Sequence, residues 1–122
     1  SNVAIATAEA LVQIPVGGGD PISTPSGGAA GVPAQPVQLT GCTYAAWSGS
    51  NRFVRDCLLD AQDAATDIDR ADENAEFMFR VNRKIVVLND TFGGTAWMAS
   101  ENMQRVDNWN DITPPEVDEE DE

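Results

Sequence analysis

The chain has no histidine and a single lysine, Lys84. Without histidine it lacks the commonest general base and the commonest transition-metal ligand. Ser–His and Cys–His nucleophile pairs are impossible. Bases number 7 against 20 acids, for a net charge of −13. A field of that sign repels nucleic-acid phosphates and anionic lipid, so direct nucleic-acid binding is not expected. No run approaches the roughly 20 apolar residues that span a bilayer as a helix. The opening residues lack the basic start of a secretory leader and contain Glu9. The expectation is therefore cytoplasmic synthesis or virion association rather than secretion.

Cysteine is scarce as well. Cys42 and Cys57 are too few for a zinc site and do not form a CxxC. A disulfide between them would close a loop of about 15 residues, worth on the order of 3 kcal/mol. The residue pattern favours reduced thiols instead, because Cys57 falls on an apolar helical stripe where a thiol acts as a small hydrophobe.

Glycine and proline, by contrast, crowd one region. Residues 17–41 hold Gly17-Gly18-Gly19, Pro21, Pro25, Gly27-Gly28, Gly31, Pro33 and Pro36. No element of ordinary length fits between such breakers, so residues 1–41 read as an extended arm or linker. Before them, Val3–Val16 suits either a short helix or a strand, and Pro15 ends both.

The strongest periodicity runs from Asn51 to Phe92. Cys57, Ala61, Ala64, Ile68, Ala71, Ala75, Met78, Val81, Ile85, Leu88 and Phe92 alternate at spacings of three and four, the signature of a packed helix seam. This predicts a mainly α fold with a long amphipathic helix or helical hairpin over about 51–92. A second helix over about 95–106 follows, giving a small helical body at 42–110 and a disordered acidic tail at 111–122. One continuous helix of about 42 residues would reach about 63 Å, longer than a chain this small can cover alone. A rival α+β reading places a hairpin at 77–98. There Phe77, Phe79 and Val81 alternate with polar neighbours, Ile85-Val86-Val87 is β-rich, and Asn89-Asp90 would make the turn.

Few constellations suggest chemistry. Asp56, Asp60, Asp63 and Asp67 would form one acidic helix stripe, the expected solvated face opposite the seam. Asp67, Asp69, Asp72, Glu73 and Glu76 fail the calcium-loop pattern, which needs an oxygen ligand where Ala71 stands and a glycine where Asp72 stands. Gly17-Gly18-Gly19-Asp20 is not followed by the Lys-Ser/Thr of a phosphate loop. No catalytic, cofactor-binding or metal-ligating residue is nominated, and no cofactor or small-molecule substrate is expected. Trp97 and Trp109 are candidate interface anchors. Arg80, Arg83 and Lys84 form a basic cluster able to dock an acidic segment of another copy.

These features point to a non-enzymatic structural or assembly subunit whose partners are copies of itself or other subunits. An arm joined to a small helical body resembles minor virion or filament proteins, at the level of composition alone. Two alternatives are an acidic binding module or inhibitor that occupies a basic site on a partner protein, and a small secreted domain with a Cys42–Cys57 bridge.

Overall fold

A computed structural model of the protein describes residues 2–59, 62–68, 71–83, 85–100 and 103–106, with 104–106 described by their backbone. Among these residues the chain forms twelve strands and no helix. They are β1 (Asn2–Ala6), β2 (Ala10–Pro15), β3 (Ile22–Pro25), β4 (Val32–Pro33), β5 (Val37–Leu39), β6 (Cys42–Ser48), β7 (Arg52–Cys57), β8 (Ala64–Asp67), β9 (Phe77–Asn82), β10 (Ile85–Asp90), β11 (Ala96–Met98) and β12 (Gln104–Val106). No helix among the described residues is long and apolar enough to cross a membrane.

The mainly α expectation is therefore wrong, and so are the helical body and the 51–92 helix. Four of the eleven seam positions are alanine, which is small enough to match any periodicity. In the fold the seam residues scatter. Cys57 lies in β7, Ala64 in β8, Met78 and Val81 in β9, and Ile85 and Leu88 in β10. Ile68, Ala71, Ala75 and Phe92 lie between strands, and Ala61 is outside the described residues. The second helix is replaced by β11 and β12. The proposed arm is not structureless either, since β1 to β5 fall within it.

The strands make three antiparallel sheets. The first has the order β1-β2-β3. The second runs β4-β6-β7-β8, with β5 pairing β6 beyond β4, and the third runs β12-β11-β10-β9. Turn chemistry explains much of this. Leu39 pairs with Cys42 across Thr40 and Gly41, whose φ values are 52° and 79°. Two positive φ angles in a two-residue loop define the hairpin turn that matches strand twist, and Gly41 meets that demand without a Cβ penalty. Asn82 pairs with Ile85, so the 77–98 region does reverse, but at Arg83 (φ 59°) and again over 91–95 rather than at Asn89-Asp90.

Strand β6 is the centre of the molecule, buried along its whole length. Its side chains alternate between two cores, as strand geometry requires. Cys42, Tyr44 and Ala46 join Phe53, Phe79, Val86, Leu88 and Trp97 on the face toward the third sheet. Ala45 and Trp47 join Leu11 and Val54 on the face toward the first sheet. The middle sheet is thus sandwiched between the other two. Full burial of each large side chain, such as Trp47, Trp97, Phe53 and Leu11, contributes about 1.5–3 kcal/mol. Cys42 and Cys57 pair directly across β6 and β7 and are joined by a disulfide. The chain therefore departs from the reduced-thiol expectation, because the hairpin register places the two residues opposite each other.

Candidate assembly surface

The first sheet has one face locked to the body and one face open. The locked face carries Leu11 and Gln13, both buried, with Ala4 packed partly against Leu11. Thr43 Oγ1 on β6 donates to Gln13 Oε1 at 3.0 Å, and Gln13 Nε2 donates to Asp56 Oδ2 on β7. Asn2 Nδ2 also donates to Gln13 Oε1, at 3.4 Å. Trp47 Nε1 donates to the Thr7 carbonyl in the β1–β2 loop. Arg52 Nε donates to the Ser26 carbonyl just beyond β3, at 2.8 Å. These bonds seat the sheet at both ends. An open groove of about 430 Å³ lies beside Gln13, Gln38, Thr43 and Asp56. Its polar groups are largely committed to one another, so it serves as the seam between two layers.

The open face is of a different kind. Alternation turns Val3 and Ile5 on β1 and Val12 and Ile14 on β2 away from the body. Val3 is 51% exposed and Ile5 46%. The register sets Val3 opposite Ile14 and Ile5 opposite Val12, so β-branched side chains pair across strands. None of the three strands, NVAIA, ALVQIP and ISTP, carries a charged residue. In a chain with 20 acids this face is an uncharged apolar surface, exposed at Val3 and Ile5 and half-buried at Val12 and Ile14. Met78 and Ile85, exposed on the outer face of the third sheet, are interleaved with Arg80 and Asn82.

The residues nominated from sequence fall elsewhere. Trp97 is fully buried in β11, edge-on to Phe77 with ring centroids 5.8 Å apart, which makes it a core residue of the third sheet. Arg80 and Arg83 are exposed at the β9–β10 end. Lys84 and Trp109 lie outside the described residues. The acidic stripe is dispersed. Asp56 accepts from Gln13, Asp63 Oδ1 accepts from the Cys57 N–H at 2.6 Å, and Asp67 pairs with Arg52 at 3.0 Å. Asp60 is outside the described residues.

Two structural features escaped the residue pattern. One is the outward face of the first sheet, whose Val3, Ile5, Val12 and Ile14 alternation was legible but equally compatible with a short helix. The other is Asp90, buried at the end of β10. Its Oδ1 accepts from the Glu76 and Phe92 N–H groups at 3.1 and 2.9 Å. Burial pushes the Tyr44 phenol above its ordinary 10.0, and the Arg55 charge pulls it part of the way back.

No protein family, curated protein or solved structure matches the chain.

Proposed function

We propose that the protein is a non-enzymatic structural subunit that associates through the open face and edge of its first sheet. The observation that carries this reading is the set Val3, Ile5, Val12 and Ile14. It is an apolar, uncharged patch, exposed at Val3 and Ile5 and half-buried at Val12 and Ile14, on a chain whose net charge is −13. Exposed contiguous apolar surface in a soluble domain marks an interaction site. The buried carboxylate of Asp90 and the Gln13–Asp56 pair support the same reading, because both are used to hold loops and layers together. Helix seams and a structureless arm have no part in it. The test is the mass in solution of the wild type against Ile5→Lys and Ile14→Lys, two outward-facing positions. Loss of association with an unchanged fold supports the proposal, and association unaffected by both substitutions contradicts it.

A second reading concerns where the chain matures. The Cys42–Cys57 disulfide fits a protein that folds in, or is delivered to, an oxidising environment. It is compatible with the first reading. A thiol assay on non-reduced protein taken from its native source tests it, and two free thiols would remove it.

A further inference from the structure

We propose that two copies of this chain pair antiparallel through β1, about a two-fold axis at Ala4, so that two first sheets join into one continuous sheet. This deepens the proposed function and rests on it.

The inference starts from the edges. A sheet edge exposes unpaired N–H and C=O groups, and natural proteins blunt such edges with charge, proline or brevity. Every other edge among the described strands is blunted. Strand β3 follows Pro21 and ends in Pro25, and β4 is two residues with Pro33. Strand β5 is three residues long and follows Pro36. Strand β8 carries Asp67, β9 carries Arg80 and β12 carries Arg105. Among the described strands, β1 is the only edge longer than three residues with neither charge nor proline.

The hydrogen-bond phase of β1 then fixes which groups are free. The Thr7 N–H donates to the Ala10 carbonyl, and antiparallel pairs alternate between bonded and non-bonded. Continuing that alternation through the register makes Ile5–Val12 and Val3–Ile14 the bonded pairs. Asn2, Ala4 and Ala6 therefore turn their backbone N–H and C=O groups away from β2. Gln38 Nε2 reaches the Asn2 carbonyl at 3.4 Å. The outward groups of Ala4 and Ala6 have no partner among the described residues.

A second copy of β1 complements this edge. Centred on Ala4, the antiparallel register sets Ala4 against Ala4 and Asn2 against Ala6, so the outward-turned residues of each strand face each other. Val3 of each copy then lies opposite Ile5 of the other, on the open face. That repeats the β-branched pairing already made with Ile14 and Val12 on the other side of the strand. One apolar stripe would run unbroken across both copies. On the body side the contact residues are Asn2, Ala4 and Ala6, all small, so the two bodies can approach. The arrangement is isologous and closes on itself. The absence of charge in β1 matters because each copy brings a net −13. This strand lets two such chains meet without opposed like charges, and added salt should strengthen the contact by screening the rest.

The experiment uses the full chain with its native disulfide. Val3→Cys and Ile5→Cys are made separately and oxidised mildly, alone and mixed. The mixture should give a 3-to-5 cross-linked dimer. Neither variant alone should, because like positions sit two residues apart along the strands, too far for a disulfide. Ala4→Pro removes an outward N–H without touching the β1–β2 ladder, and should weaken dimerisation at least about tenfold, as loss of a central bonded pair implies. A dimer that persists unchanged in Ala4→Pro and gives no 3-to-5 link overturns β1 pairing but leaves the open-face reading standing. A monomer at every concentration and salt overturns both, and leaves the edge to a strand of a different protein.

Discussion

Trp47 and Thr7 are joined across two sheets: the buried indole Nε1 of β6 donates to the Thr7 carbonyl in the β1–β2 loop. The same indole packs with Leu11, Ala45 and Val54. One side chain thus fixes the first sheet both by contact and by a directional bond. Trp47→Phe keeps most of the apolar volume and loses the bond. Leaving that carbonyl unpaired should cost about 1–3 kcal/mol. The effect should concentrate in the first sheet, so hydrogen exchange of β1 and β2 amides should accelerate more than that of β6. Equal acceleration everywhere would show that the tie has no local role.

The Cys42–Cys57 bridge clamps the β6–β7 hairpin at the end away from its loop, with a sequence separation of 15. Closing a loop of that length stabilises a fold by about 3 kcal/mol. The double substitution Cys42→Ala, Cys57→Ala should lower unfolding stability by about that amount while leaving the strand content intact. Denaturant titration of oxidised, reduced and double-alanine forms checks it. The reduced and double-alanine forms should behave alike.

Asp90 holds the connection after β10 and the segment before β9 at once, through the Phe92 and Glu76 amides. Asp90→Ala removes the one oxygen that accepts from both amides at a buried site and should cost about 3 kcal/mol. Asp90→Asn retains an acceptor oxygen and should cost less. Urea unfolding of the three proteins gives the order, and an alanine variant as stable as the wild type would show that the carboxylate is dispensable.

Burial raises the Tyr44 phenol above 10.0 in the folded protein. A raised folded value means that the neutral form is favoured by folding. Its contribution is fully present below pH 10, the unfolded value, and is lost as pH rises through 10 and the higher folded value. Stability should therefore fall more steeply above pH 10 in the wild type than in Tyr44→Phe. Parallel alkaline unfolding curves would contradict this.

How much of this was legible in the sequence depends on which residues carried the signal. The alternation of Phe77, Phe79 and Val81, and the Ile85-Val86-Val87 run, did indicate a hairpin near 77–98. It was outweighed by a helical seam built on Ala61, Ala64, Ala71 and Ala75. Alanine has no directional preference strong enough to oppose a pattern laid over it, and in the fold Ala64 opens β8 while Ala71 and Ala75 lie between strands. The turn residues Thr40-Gly41 sat inside the 17–41 region set aside for its breakers, and the 49–51 loop, with Gly49 and Asn51 at positive φ, was read as the approach to a helix. Glycine and proline there punctuate short strands rather than forbid them. The buried strand β6, CTYAAWS, is apolar on both faces and shows no alternation, because it is covered on both sides.

The candidate surface was half legible. Val3, Ile5, Val12 and Ile14 stood out as apolar, yet their facing could not be assigned until β2 was placed between β1 and β3. Trp97 was nominated as an interface anchor, yet it lies in the core of the third sheet. A tryptophan's size signals burial but does not say against what.

The most direct test of the central claim is molar mass by light scattering on the oxidised full chain, across protein concentration at low and high salt. The account predicts a dimer whose fraction grows with concentration and with salt, and whose formation is suppressed by Ile5→Lys. A monomer under every condition would contradict it.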